Sequence, residues 1–525
     1  MTPRKVGGNA ERTSVALCVV RRQFANLVTL MKMILSMRVG WVLVAVAMAC
    51  GARAARAEDT ALVAALNKPL KDISENERSA TSVFAAYLTM TTPPIAVGDD
   101  FNQATIWQGM DKWSEVSKWA QVNAPMGEAL KASQTAMMLG LPYGNQSVDP
   151  AWLKAGASVS VGDMANQGFI RCNYFPIVRT ISAYATAEMY RLGEAGEFES
   201  AFQIGLANAR FLRQVCEQSL LEEKLFGLQI LAEQLTIQRD FMWVYLDRIP
   251  SEVLQNVAWK EYGFLKPSDN EKLSRLQMPE GDQLIVNRVL EKVLKDQGSG
   301  TVDGEVFAQT LSSQETVAGP LQAFGNQEMW RRIAGVHDSY VASVKKLADV
   351  YDDWWRRWKM PKDSPIQKIS SEFSRTNPIK YRIVWAMVQD MQNAFAWRTV
   401  VTAEVNGTVM SAGLCASYRD AKNTWPKDPE RAYGTYFQRR FNFDPFTKII
   451  AGTKRARPFE YRLLSERAAI DTSLGRVWAI GCLLYALGVN EEDDNGNSHS
   501  ADASTADLVI WPPVRALARQ EGLLK

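Results

Sequence analysis

From Ile177 to Tyr245 apolar residues return every third or fourth position almost without interruption, a period that suits helices packed side by side and no strand. Ile177, Ile181, Tyr184 and Ala187 share one face of a first helix, which stops near Gly193 to Gly196. A second begins around Glu199 and turns Phe202, Ala209, Leu212 and Cys216 inward. A third carries Leu221, Leu225, Leu228, Leu231 and Leu235 along one stripe.

The joint from Gly196 to Ala201 resembles the Gly-x-x-x-x-Ala turn of a tetratricopeptide repeat, where small residues let antiparallel helices approach closely. Only one such unit is visible, and stable arrays need about three or more, so a helical hairpin is the expectation. Helical spacing extends in both directions. Ile106, Met110, Trp113, Val116 and Ala120 form a stripe within an N-terminal helical region, 58–140. Residues 141–176 are rich in Gly and Pro and read as an irregular connection, with the alternating residues Ala157 to Val161 as a short strand. The helical body, 177–376, continues with amphipathic runs at Leu284 to Lys295 and Met329 to Lys359. Asn377-Pro378 looks like a cap followed by proline at the first helical position, opening a helix to about Lys422. Sheet is expected after Phe441. The fold class that results is mainly α, with a small C-terminal α+β domain (377–525) of a helix packed on an antiparallel sheet.

Residues 1–57 read as a leader. Met31 to Ala57 has a basic start (Lys32, Arg38), a short apolar run from Val39 to Ala49 and small residues at Ala55 and Ala57, the pattern of a signal peptide cleaved before Glu58. A lipidated Cys50 is the rival reading. Of the 60 basic and 57 acidic residues, nine basic and one acidic lie before Glu58, so a chain starting there carries a net charge near −5. That balance has no electrostatic footprint for nucleic acid. The apolar run is shorter than the roughly 20 residues a bilayer span needs, so no transmembrane segment is expected in the mature chain. Cys172, Cys216, Cys415 and Cys482 follow the leader, with no CxxC pair. An exported chain with four cysteines permits two disulfides in any of three pairings, or buried free thiols.

The two histidines, His337 and His499, leave little room for a Ser-His-Asp site and none for a histidine-rich metal centre. HExxH, GxSxG and phosphate-loop patterns are missing from the sequence. The acid pairs Glu222/Glu223 and Asp352/Asp353 are the remaining acid–base candidates, but neighbours on a helix point about 100° apart and so do not flank one bond. In the run Asp352 to Lys359, Trp354 and Trp358 belong to the core stripe, leaving Trp355 and the two arginines for solvent.

The tail carries an ordered set of motifs: Ser417-Tyr-Arg419, Trp425-Pro426, Asp444-Pro-Phe-Thr447, Pro458-Phe-Glu-Tyr-Arg462, Leu484-Tyr-Ala-Leu-Gly488 and Asp507-Leu508. In that order they resemble the C-terminal domain of the major pseudopilin of type II secretion systems. They are also similar to the tails of a group of uncharacterised exported bacterial helical proteins. The resemblance implies a helix leading to a small sheet whose final loop binds calcium. Its ligands would be the Leu487 carbonyl, Asn490 in place of the loop's first aspartate, and Asp493, Asp494 and Asp507. The prepilin cleavage site and apolar assembly helix of that family are not matched, and Ala451 to Arg457 reads as an insertion. Apart from the resemblance, Glu491 to Asp502 echoes an EF-hand loop, with Gly496 at the sixth position.

The expectation for function is an exported envelope or periplasmic scaffold with a calcium-stabilised tail, acting on a protein partner in the cell envelope. The alternative is a carbohydrate-active enzyme with a helical body that uses dispersed carboxylates.

Overall fold

The computed structural model describes residues 58–98, 101–162, 170–259, 276–295, 304–312, 320–360, 364–447, 457–500 and 504–524. The leader, its Cys50 and Asp502 of the EF-hand reading lie outside them. The N-terminal region holds α1 (Thr60–Leu66), α2 (Ser79–Tyr87), α3 (Trp113–Val122) and α4 (Ala124–Ser133). The stripe expected from Ile106 to Ala120 is divided. Ile106 is buried but lies ahead of α3, and Lys112 takes a left-handed conformation with φ 59°, which a right-handed helix does not pass through. The connection contains α5 (Pro150–Ala155) and a hairpin of β1 (Val159–Val161) against β2 (Ile170–Cys172), antiparallel with Val159 opposite Cys172. The alternating residues do form a strand, with Val159 and Val161 buried.

The centre is built from α6 (Phe175–Ala195), α7 (Phe198–Cys216) and α8 (Leu221–Val244). Gly196 ends α6 at φ 84°. Its N–H reaches the Gly193 carbonyl while the Glu197 N–H reaches that of Leu192, the paired bonds of a glycine-terminated helix. No heavy atom stands within 4 Å of where a Gly196 Cβ would lie. The glycine serves the turn and not a close approach of the helices, which corrects the reading taken from the repeat.

Further along come α9 (Ser251–Trp259), α10 (Gly281–Leu294), α11 (Gly304–Ser312), α12 (Pro320–Ala334), α13 (Tyr340–Lys359), α14 (Glu372–Arg375), α15 (Arg382–Met387) and α16 (Gln392–Asp420). Two helices expected as continuous are broken, each where a side chain accepts an N–H group of the new helix start. Between α12 and α13 the Ser339 hydroxyl accepts the Ala342 N–H at 3.4 Å. Before α16 the Asp390 carboxylate accepts the Gln392 N–H at 3.0 Å. A side chain that satisfies the first free N–H groups of a helix lets a new one start there. Asn377 does accept the N–H groups of Ile379 and Lys380, at 2.9 and 3.0 Å, but the helix that follows is the short α15.

The tail adds β3 (Glu460–Leu463), β4 (Ala468–Thr472), β5 (Gly475–Ala479), β6 (Cys482–Ala486), β7 (Leu508–Trp511) and α17 (Val514–Gln520). β3, β6 and β7 form an antiparallel sheet in the order β3-β6-β7, and β4 and β5 form a separate hairpin. The architecture is therefore mainly α with a small antiparallel sheet against a helix. The helix on that sheet, α16, is equally part of the body, because α8 makes its most extensive contacts with α16 and α7. Arg239 of α8 is buried against α16. It pairs with the Glu404 carboxylate and donates to the Thr408 hydroxyl at 2.7 Å. The next residue, Asp240, pairs with Arg519 of α17. Among the described residues no helix is long and apolar enough to cross a membrane. The four cysteines stand as free thiols, all but Cys172 fully buried.

Candidate functional site

The five tail residues singled out by the resemblance lie on or beside the loop that joins β6 to β7. Every residue of β6 is buried, so the strand end is a fixed platform. Leu487 follows it, and its N–H donates to Asp444 Oδ2 at 2.8 Å. The other oxygen of Asp444 accepts the Phe446 N–H, also at 2.8 Å. Asp444 is 1 % exposed, and through it the Asp-Pro-Phe-Thr segment clamps the entry to the loop. Gly488 comes next at φ 67°, where a Cβ would sit 1.9 Å from the Ala506 carbonyl oxygen. Only glycine lets the two limbs of the loop meet here.

Three of the candidates converge. Asp494 Oδ2 accepts from Asn490 Nδ2 at 2.8 Å and from the Ala506 N–H at 2.9 Å, tying the outgoing limb to the returning one beside Asp507. Asp507 is 1 % exposed. Its Oδ2 accepts the Gly496 N–H at 2.7 Å, whereas Oδ1 is buried with no hydrogen-bond partner. Asp493 stands slightly apart, accepting the Tyr485 hydroxyl at 2.8 Å and the Asn495 N–H at 2.9 Å.

Burial pushes the Asp507 carboxyl up to about 7, the nearby charges of Asp494 and Asp493 push the same way, and the N–H groups of Gly496 and Asp494 pull against them. A loop that gathers like charges around a buried carboxylate is held at a cost. Among the described residues no three His, Cys, Asp or Glu side chains form a ready-made metal cluster. Any cation here would rely on carbonyl and amide oxygens beside the carboxylates, a donor set that suits a hard ion. The EF-hand reading does not hold, because strands β6 and β7 flank the loop in place of two helices.

One acid of each pair considered for catalysis has another duty, while Glu222 and Asp352 are exposed. Glu223 is fully buried, with Tyr143 OH on Oε2 at 2.6 Å and Tyr174 OH on Oε1 at 2.8 Å. It fastens the irregular connection to the start of α8, and burial lifts its carboxyl to about 7. Asp353 Oδ2 accepts from Arg357 Nε at 2.8 Å and from the Glu372 N–H at 2.9 Å. Arg357 is buried, not solvent-facing as the sequence suggested, while Trp354 and Trp358 do lie in the core. His337 sits at the break before α13. Its Nδ1 is 2.8 Å from the Asp338 carbonyl, so it donates there, and Nε2 accepts the Ile383 N–H at 3.3 Å.

Two groups at the site escaped the sequence reading. Asp444 and Tyr485 are visible in the sequence only as members of motifs. The signal that points to both is position: one precedes a proline turn, the other is the last residue but one of a fully buried strand. No family model, curated protein or solved structure matches the chain.

Proposed function

We propose that this chain is an exported envelope protein whose helical scaffold carries a pseudopilin-like tail steadied by calcium, and that it acts through contacts with a protein partner. The observation that carries the calcium reading is the buried Asp507 carboxylate, whose Oδ1 makes no close hydrogen bond although the Asp494 N–H stands near the group. A buried carboxylate oxygen without a close hydrogen bond is costly, and a divalent cation would remove that cost and the repulsion from Asp493 and Asp494 together. Leu487, through its carbonyl, would hold the ion with Asn490, Asp493, Asp494 and Asp507. Bound there, calcium would supply charge neutralisation and a tie between the two loop limbs. The scaffold reading is supported by the engagement of Glu223 and Asp353 in bonds that hold segments together.

Thermal melting of the purified chain in calcium and in chelator tests the metal. Calcium at 100 times its dissociation constant should add about 2.7 kcal/mol of stability. The double substitution Asp493→Ala with Asp507→Ala should abolish that gain, and identical melting curves in both conditions for the unaltered chain would refute it. Sequencing the N-terminus of exported material should find Glu58 first; a chain retaining 31–57, or beginning at a lipidated Cys50, would refute the processing.

A further inference from the structure

Away from the acidic loop, a cavity of about 350 Å³ lies where α8, α17 and the segment ahead of α3 come together, lined by Trp107, Trp243, Val244, Ala516, Arg519 and Gln520. Its volume is at the small end of the range for small-molecule sites. Both indoles are half-buried, and Gln520 is exposed. The Arg519 guanidinium lies 4.6 Å from the centroid of the Trp107 ring and is ion-paired with Asp240, which also accepts the Tyr190 hydroxyl at 2.9 Å. Trp107 Nε1 is buried without an acceptor, and Asp240 Oδ1 without a donor.

Those features select among ligands. The pairing with Asp240 cancels the charge of Arg519, so the cavity has little to attract a small anion. A plain hydrocarbon would leave the guanidinium and the Gln520 carboxamide facing groups that cannot bond them. A sugar ring meets both demands, with a C–H face to lie on an indole and a rim of hydroxyls that donate and accept. We propose that this cavity binds a single pyranose ring of a neutral saccharide. The site is independent of the calcium reading, and the test keeps the two apart by including a chelator.

The purified chain in EGTA is titrated with D-glucose, D-galactose and N-acetyl-D-glucosamine, with cyclohexanol and benzoate as controls. Tryptophan fluorescence and saturation transfer to ligand protons are the readouts. At least one hexose should give saturable fluorescence change and transfer to its ring protons. Trp107→Ala should weaken that binding about tenfold, the loss of one aromatic contact worth about 1.4 kcal/mol. Gln520→Ala, at an exposed position, should weaken it several-fold with the melting curve unchanged, and it decides the matter if Trp107→Ala disturbs the fold. Absence of transfer for all three sugars, undiminished binding in the Gln520→Ala chain, or a preference for benzoate over every hexose would each overturn the proposal.

Discussion

Removing the Glu404 carboxylate should harm the fold far more than removing the whole Arg239–Glu404 pair. The side chains are 1 % and 7 % exposed, so neither charge has water to fall back on. Burial pushes the Glu404 carboxyl up, and it is the Arg239 guanidinium that pulls it back toward the charged form. In Glu404→Ala the guanidinium keeps only the Thr408 hydroxyl at 2.7 Å, the Thr236 hydroxyl at 3.3 Å and the residue-404 carbonyl at 3.3 Å. Its Nε already lacks a partner. Stranding one charge of a buried pair costs about 3–5 kcal/mol. Arg239→Met combined with Glu404→Leu removes both charges and fills most of the space. Replacements of that kind range from neutral to about 4 kcal/mol stabilising. Urea unfolding at neutral pH, followed by far-ultraviolet circular dichroism, gives the four corners of the double-mutant cycle. A double variant as unstable as Glu404→Ala, or a loss below about 1 kcal/mol in Glu404→Ala, would refute the reasoning.

Glu223 has its folded pKa raised to about 7 from 4.5, so the folded chain binds the extra proton between those values and loses stability as pH rises through them; Glu223→Gln should flatten that slope in urea midpoints. His337 has its pKa lowered by burial, so its contribution is present above the unfolded value and lost as pH falls, and His337→Leu should remove this acid-side loss; equal slopes in variant and parent would refute either assignment. Gly196→Ala forces a Cβ onto a φ of 84° and should cost about 1–2 kcal/mol by the same unfolding assay, a neutral result showing that the turn relaxes.

The sequence was most readable where burial repeats. Helices α6 to α8 lie close to their expected bounds because each hides a face at every turn. It misled where the apolar stripe continues but the helix does not. Val336 keeps the phase of the stripe between Ile333 and Tyr340, yet it is 58 % exposed, because a backbone break changes which way a side chain points without changing its spacing. In the tail, the order of motifs placed Asn490, Asp494 and Asp507 on one loop, where the structure brings them together. It could not show that Asp444 grips Leu487 across 43 residues, or that Tyr143 reaches Glu223 across 80. Such pairings depend on the assembled packing, which local spacing does not carry.

The placing of α8 also bears on how quickly the molecule assembles. Helical chains fold fast when their contacts are local, since little loop entropy is spent before contacts form. Here α8 meets α7 at once, but Arg239 waits for a partner 165 residues away and Asp240 for one 279 residues away. Stopped-flow refolding should therefore show dichroism from α6 to α8 well before tryptophan fluorescence settles, and simultaneous phases would refute it. During that interval the face of α8 that α16 later covers stands open to water, as an unpaired strand edge does in a slow-folding β protein.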